Sequence, residues 1–302
     1  MQLCIDPEVA RALAARAPVV ALESTLICHG LPRPRNLELA RAVEAVVREA
    51  GAVPATIAVV DGDLRVGLDA VTLERLAAAE NVVKCSPREL ALVIARRTLG
   101  ATTVAGTIRI AAAAGIRVMA TGGIGGVHRG GEVTLDVSAD LHELARTGVA
   151  VVCSGAKIIL DLARTLEVLE TLAVPVVGFR CDRFPAFYAC DSGLPVPRVD
   201  DVETLAALVH AHAGLDWPTG IVIANPPPAD LALAPALLEK WIAAATAEAA
   251  TQGISGKDTT PFLLAELARL SEGRTVILNE ALVLDNARLA ATLAATLGGV
   301  FA

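Results

Sequence analysis

Aromatic side chains are nearly absent from this chain: two Trp, one Tyr and five Phe stand among 302 residues. Its interior must therefore be built from Ala, Val, Leu and Ile, in a sequence that is 54% apolar. C-x-x-C pairs are also missing. Cys4, Cys28, Cys85, Cys153, Cys181 and Cys190 are scattered, several inside apolar runs where a thiol behaves as a small buried hydrophobe. That spacing argues against a disulfide scaffold or a zinc site and fits a reducing cytoplasm. No dense Lys/Arg run occurs, and a net charge of −7 with pI near 5.3 argues against nonspecific nucleic-acid binding, although a small anion needs only a local patch. The N-terminal residues, MQLCIDPEVARALAARAP, carry charges throughout and lack the apolar core of a secretion signal. No apolar run reaches the ~18 residues of a membrane span. A cytoplasmic protein without membrane contact is expected.

What is present is an alternation of short β-branched runs with longer Ala/Leu-rich helical patterns. The predicted strands are 18–24, 56–62, 101–106, 116–122, 149–155, 174–179 and 220–225. Between them, NLELARAVEAVVREAG (36–51) has apolar residues at helical spacing and a glycine stop, and SPRELALVIARRTLG (86–100) has Ser86 as N-cap, Pro87 in its first turn and Gly100 at its end. Such alternation predicts an α/β fold: a mostly parallel central sheet with helices on both faces. Segment 180–200 holds two of the five Phe and the only Tyr, and reads as a long ordered loop or lid. After residue 226 the chain is helical, with too little apolar surface for a second core, so one domain over residues 1–302 is expected. Several predicted strands end in polar or glycine residues, among them Glu23, Asp61-Gly62, Thr121-Gly122-Gly123, Ser154-Gly155 and Asn225. Ligands of open α/β sheets bind at the carboxyl ends of strands, so these residues are candidates to converge on one pocket.

Residues 116–161 hold most of the side chains able to do chemistry. Six glycines surround His128 and Arg129: Gly122, Gly123, Gly125, Gly126, Gly130 and Gly131. Such loops let a backbone approach a ligand and turn amide groups toward anions. Read from Gly123, a G-x-G-x-x-G fingerprint would need glycine at His128, and no Gly-Lys follows at Walker A spacing. A dinucleotide or nucleoside triphosphate site is thereby disfavoured, and a sugar phosphate favoured over a plain tight turn. Asp136, Ser138 and Asp140 alternate along the chain; if extended, they share one side and could hold a divalent cation or a sugar. Asp140-x-x-Glu143 equally reads as a capping box for a helix starting at Leu141, which leaves Asp136 as the first choice for a metal ligand.

Lys157 stands in or near the first turn of a predicted helix, KIILDLARTLEVLETLA, where the helix dipole would favour the neutral amine that Schiff-base chemistry needs; a phosphate-pairing or solvated lysine is the alternative. Glu23 closes an apolar strand as a desolvated acid or a salt-bridged carboxylate, with His29 nearby in sequence. Lys84 is a candidate phosphate contact or an exposed charge. Asn279 reads as a helix cap that could instead match the edge of a planar base. His128 and Arg129 could bind phosphate or shuttle a proton.

Together, VALESTLICHGLPRPRN, GATTVAGT, ATGGIGGVHRG, DVSADL, SGAKIILDL, VIANPPP and GKDTTPFLLAEL resemble the pseudouridine-5′-phosphate glycosidase family, also called indigoidine synthase A-like, from about residue 5 to 295. The resemblance implies a three-layer α/β/α sandwich with a mixed, mostly parallel sheet, assembled as a homotrimer. It implies reversible cleavage of the C–C glycosidic bond of pseudouridine 5′-phosphate to uracil and ribose 5-phosphate, an activity classed with the carbon–oxygen lyases, with Mn²⁺ or a similar cation. By motif, Lys157 corresponds to the lysine that attacks C1′, Glu23 to the proton donor and Asp136 to the metal ligand. Ser138, Ala139, Asp140, Lys84 and Val104 match substrate contacts, and Asn279 a uracil contact. Cys28 stands where serine is common, and Asp285 replaces the first residue of a frequent Asn-Asn pair. The competing readings are a Schiff-base lyase or aldolase on another sugar phosphate, and a non-catalytic sugar-phosphate-binding protein.

Overall fold

A computed structural model of the chain describes residues 2–254, 256 and 259–300, so Lys257 and Asp258 of the GKDTTPFLLAEL motif lie outside the described residues. The strands, in chain order, are β1 (Leu3–Ile5), β2 (Val19–Glu23), β3 (Val53–Val60), β4 (Asp63–Val66), β5 (Val83–Cys85), β6 (Gly100–Thr102), β7 (Val118–Ala120), β8 (Val127–His128), β9 (Ala150–Cys153), β10 (Leu160–Asp161), β11 (Val176–Phe179), β12 (Arg198–Val199) and β13 (Ile221–Ala224). The main sheet runs β1-β4-β3-β2-β7-β9-β13-β11-β12, with β6 on β3 and β5 on β6. From β3 to β12 the neighbours are parallel; β4 and β6 pair antiparallel with β3. The expected mixed, mostly parallel sheet between helical layers is observed.

The central strands VVALE, AVVC and IVIA are apolar almost throughout because both their faces are covered. Helix Arg274–Val300 lies across β2, β7 and β9, flanked by helices Arg35–Glu49 and Val202–Gly214. Helix Val104–Ala114 packs on β2 and β3, and helix Ala139–Leu144 packs against that helix. The resulting core is continuous across the central strands and is filled by Val, Ile, Leu and Ala, as the shortage of aromatics requires. All six cysteines are free thiols, and among the described residues no helix is long and apolar enough to cross a membrane.

Connectivity places a crevice. The chain leaves β2 toward β3 on one side and returns to β7 on the other, so the strand order reverses between β2 and β7. A reversal of this kind leaves the carboxyl ends of the two strands open to a ligand. A cavity of about 430 Å³ exists elsewhere, at the opposite, amino ends of β2 and β7, between Pro18, Val19, Arg117 and Val118.

Several local expectations are corrected. The predicted strand 101–106 stops at Thr102, because Thr103 caps helix Val104–Ala114 with its hydroxyl accepting from Gly106 N at 3.3 Å. Asp61-Gly62 is not part of a crevice but the two-residue turn of the β3–β4 hairpin: both residues have positive φ, and Asp61 is held by Arg75 through two 2.7 Å bonds. Segment 180–200 is an ordered loop, as expected, but one packed inward. Phe184, Phe187 and Tyr188 are buried, and Phe187 N donates to Ser154 O at 2.9 Å. It forms a wall rather than a lid.

Gly155 marks where this wall meets the sheet. Its φ is +77°, and a Cβ there would lie 2.0 Å from the Pro185 carbonyl oxygen. Gly155→Ala is expected to destabilise the fold by roughly 3 kcal/mol or more, combining left-handed strain with a backbone clash. Urea unfolding checks this; an unchanged midpoint would contradict the packing described.

Candidate active site

At the end of β2 three consecutive side chains divide the work. Ser24 Oγ donates to Ile57 O at 2.7 Å and accepts from Thr102 N at 2.8 Å, while Thr25 Oγ1 donates to Thr102 O at 2.8 Å. These two hydroxyls fasten β6 and the start of helix Val104–Ala114 to the central sheet. Glu23 is left facing the crevice, where the Thr121 hydroxyl, from the end of β7, donates to its Oε1. Burial pushes the Glu23 carboxyl above the ordinary range; the Lys157 ammonium and the Thr121 bond pull it part of the way back, Asp140 adds to the rise, and Lys84 opposes it.

Lys157 reaches the same place from the end of β9. Its Nζ donates to Gly123 O at 2.6 Å, its backbone N donates to Ile124 O at 3.1 Å, and Ile124 N donates to Gly155 O at 3.0 Å. The glycine loop and the SGAK turn therefore run side by side as an extension of β7 and β9. One expectation falls here. The helix after Lys157 begins only at Leu162, with Asp161 as its N-cap, so no helix dipole acts on the amine in the manner proposed. What holds the amine is the Gly123 carbonyl, and its charge acts on the Glu23 carboxyl.

Asp140 is a staple. Its Oδ1 accepts from Ala105 N at 2.8 Å and its Oδ2 from Gly125 N at 2.7 Å, which ties the N-terminus of helix Val104–Ala114 to the glycine loop. The loop amide that was expected to meet a ligand anion thus meets an internal carboxylate. The capping-box reading is also overturned: the helix is Ala139–Leu144 and its cap is Ser138, whose Oγ accepts from Asp140 N at 3.2 Å. Ala139 opens that helix. Gly125 permits the close approach, since a Cβ there would lie 2.3 Å from Ser138 Oγ. Because residues 138–140 turn into a helix, Asp136, Ser138 and Asp140 do not share one extended face.

Asp136 stands half-exposed, its Oδ2 3.9 Å from His128 Nδ1. Burial lowers the His128 pKa, the Asp136 carboxylate opposes that, and Lys84 and Lys157 add to the lowering. Among the described residues no cluster of three or more His, Cys, Asp or Glu side chains could enclose a metal. A single carboxylate oxygen donor open to water nonetheless fits a hard divalent cation that keeps most of its hydration shell.

Lys84 sits on β5 in register with Ala101, and its charge acts on Glu23, His29 and His128. Val104 is the first residue of its helix, beside the amide that Asp140 holds. A lysine and a helix N-terminus are the usual elements of a phosphate site. Arg129 is not part of it. Its guanidinium is taken by Glu239 in two bonds of 2.9 and 2.7 Å and by Ile158 O at 3.3 Å. His29 lies in a short π-helical turn, Leu26–Gly30, where burial and the Lys84 charge lower its pKa.

Asn279 is not a helix cap but lies inside helix Arg274–Val300. It is buried, and among the described residues its Oδ1, next to Gly122, has no hydrogen-bond partner. An unsatisfied buried acceptor is costly, and a ligand with an N–H group would remove that cost. Sequence reasoning missed Thr121 as the partner of Glu23, and missed Asn286, which is fully buried on the same helix. The signal for Asn286 was its seven-residue spacing from Asn279, which puts both carboxamides on one face of an otherwise apolar helix.

A family model described as indigoidine synthase A like protein matches residues 8–296. The pseudouridine-5′-phosphate glycosidase of Jannaschia sp. (strain CCS1) is 54% identical over 98% of this chain and 99% of its own length. That of Rhodospirillum centenum is 59% identical over 97% of this chain and 91% of its own. Among solved structures, the prealnumycin C-glycosynthase AlnA in complex with ribulose 5-phosphate aligns with a TM-score of 0.93 at 44% identity, covering 100% of this chain and 98% of that one. An indigoidine synthase A-like protein from Thermotoga maritima aligns with a TM-score of 0.87 at 37% identity, covering 93% of each chain.

The raised Glu23 carboxyl has a stability consequence. When a folded-state pKa exceeds the unfolded one, the group's contribution is fully present below the unfolded pKa and is lost as pH rises through the folded pKa. Glu23→Gln, which does not titrate, should therefore gain on wild type as pH rises from about 4 to about 8, reaching a Tm about 2–4 °C higher at the upper end. Thermal melts across that range check the sign; a gap that narrows with rising pH would contradict it.

Proposed function

The chain belongs to the indigoidine synthase A-like family, and from that premise we propose that it reversibly cleaves the C–C glycosidic bond of pseudouridine 5′-phosphate, giving uracil and ribose 5-phosphate through a Schiff base on Lys157. The observation that carries this reading is the placement of an amine and a desolvated carboxyl on one turn. Lys157 Nζ holds Gly123 O, and Glu23 holds the hydroxyl of Thr121 two residues earlier.

A carbon-linked base has no glycosidic oxygen or nitrogen to protonate, so two carboxylates of the ordinary glycosidase kind would not suffice. With Glu23 neutral and Lys157 unprotonated, the amine attacks C1′ while the C1′–O4′ bond breaks and O4′ takes the Glu23 proton. The nitrogen returns a proton to Glu23. Its lone pair then forms the C1′=N bond as the C1′–C5 bond breaks, and Glu23 protonates C5 of the departing uracil. Water hydrolyses the imine, supplying the aldehyde oxygen of ribose 5-phosphate and restoring Lys157. In this scheme Lys84 and the helix start at Val104 bind the phosphate, Ser138 and Ala139 line the sugar, and the unpartnered Asn279 Oδ1 accepts an N–H of uracil. Asp140 acts by holding the loop. Asp136, with water, would hold Mn²⁺ or a similar cation, which would add positive charge beside the anionic substrate.

Support for the substrate class comes from the names of the relatives and from the sugar phosphate bound by AlnA. The six free thiols fit a cytoplasmic enzyme. A homotrimer would give cover to Val133 and Leu135, which stand 83% and 82% exposed on the turn beside the site.

Uracil release from pseudouridine 5′-phosphate tests the proposal. Wild type should release uracil, Lys157→Ala should release none, and Glu23→Gln should be slower by about 10²- to 10⁴-fold. Sugar-phosphate binding without uracil release would favour a lyase on another sugar phosphate or a binding protein, and release that survives Lys157→Ala would overturn the Schiff base.

A further inference from the structure

Neither Glu23 nor Lys157 is held by its own strand alone; both hydrogen-bond to the short turn Thr121-Gly122-Gly123 that leaves β7. What fixes this turn comes from the far end of the chain. Asn286 Nδ2 donates to Thr121 O at 2.9 Å and to Gly122 O at 3.4 Å, and lies 3.1 Å from Ser154 Oγ at the end of β9. Its Oδ1 accepts from Asn225 Nδ2, at the end of β13, at 3.0 Å. One carboxamide thus bridges the carboxyl ends of three adjacent parallel strands from the helix that covers them.

Its orientation is determined from outside. Asn225 Nδ2 also donates to Asp285 Oδ2 at 3.0 Å, and Asp285 is held near Arg288 at 3.7 Å. An ionised carboxylate only accepts, so Asn225 must turn its NH₂ toward residue 285 and toward Asn286 Oδ1. Asn286 must then turn its own NH₂ toward the two turn carbonyls, which likewise only accept. The carboxylate at position 285, where the family resemblance leads one to expect asparagine, makes this order of donors and acceptors unambiguous. Asn286 and Ser154 are fully buried and Asn225 nearly so, so water does not compete for these bonds.

We propose that Asn286 is a positioning residue for the reaction: by holding the carbonyls of Thr121 and Gly122 it fixes the turn that carries both the proton donor Glu23, through the Thr121 hydroxyl, and the nucleophile Lys157, through the Gly123 carbonyl. This rests on the glycosidase reading. The residue touches no reacting atom, and its effect falls on the relative placement of the acid and the amine. The phosphate site at Lys84 and Val104 is built on β5 and helix Val104–Ala114, away from the bonds Asn286 makes, so substrate affinity should change little.

The test combines steady-state kinetics on pseudouridine 5′-phosphate with borohydride trapping of ribose 5-phosphate, the trapped fraction counting lysines in folded, competent sites. For Asn286→Ala, kcat per trapped lysine should fall about 10²-fold, the scale of a misplacement of about 1 Å, with KM within about threefold of wild type. Asp285→Ala alters a half-exposed side chain and should leave the fold intact while lowering kcat about tenfold through the loosened Asn225. Should Asn286→Ala not fold, the Asp285 variant decides. Activity that falls only in proportion to the trapped fraction, a rise in KM at unchanged kcat, or an Asp285 variant with wild-type kcat would overturn the positioning role. Wild-type protein that neither traps the sugar nor releases uracil overturns the glycosidase reading instead, and the proposal falls with it.

Discussion

Burying a carboxyl group beside a primary amine, with both turned to the same small volume, is the constraint on which the rest of this structure depends. A carboxylate withdrawn from water tends to keep its proton, and an ammonium beside it pulls the other way. The balance between these two effects depends on how far apart the groups stand, so neither can be allowed to wander. The chain meets that requirement by hanging both on one turn: the Thr121 hydroxyl takes Glu23 and the Gly123 carbonyl takes Lys157.

Rigidity of the turn is supplied from both faces of the sheet. Asp140 clamps Gly125 to the start of helix Val104–Ala114, and Asn286 clamps Thr121 and Gly122 from helix Arg274–Val300. Phe187 closes the remaining side, so near that a Cβ on Gly123 would lie 2.7 Å from its ring. The glycines of this loop serve mainly close packing. Gly122, Gly123, Gly125 and Gly126 have ordinary φ, and what they lack is room. The reversal of strand order between β2 and β7 opens a crevice in front of this braced turn and lets Lys84 approach from β5, on the far side of β2.

The architecture was legible in the sequence because period and propensity are local. The apolar runs 18–24, 149–155 and 220–225 could only be strands covered on both faces, and the helices between them dictated a parallel sheet. Glu23 was legible as a carboxylate ending an apolar run, and Lys157 as the one lysine beside the glycine loop. What failed was inference about who holds whom. The Asp140 capping box and the helix dipole at Lys157 were local arguments: Ser138 is the cap and the helix begins only at Leu162, while the two side chains are held by residues distant in sequence, Asp140 by Ala105 and Lys157 by Gly123. Arg129 looked free beside glycines and is paired across 110 positions with Glu239. Thr121, Asn225 and Asn286 stood within the motifs, but no local signal named their partners, because their function lies in bridging strand ends that only the fold brings together.

The central claim is that the amine of Lys157, placed by this turn, captures an open-chain pentose phosphate. Its most direct measurement is the site of covalent attachment, found by incubating the protein with ribose 5-phosphate, reducing with borohydride and mapping the modified peptide by mass spectrometry. The account predicts one adduct, on Lys157. An adduct on Lys84, or none, would contradict it.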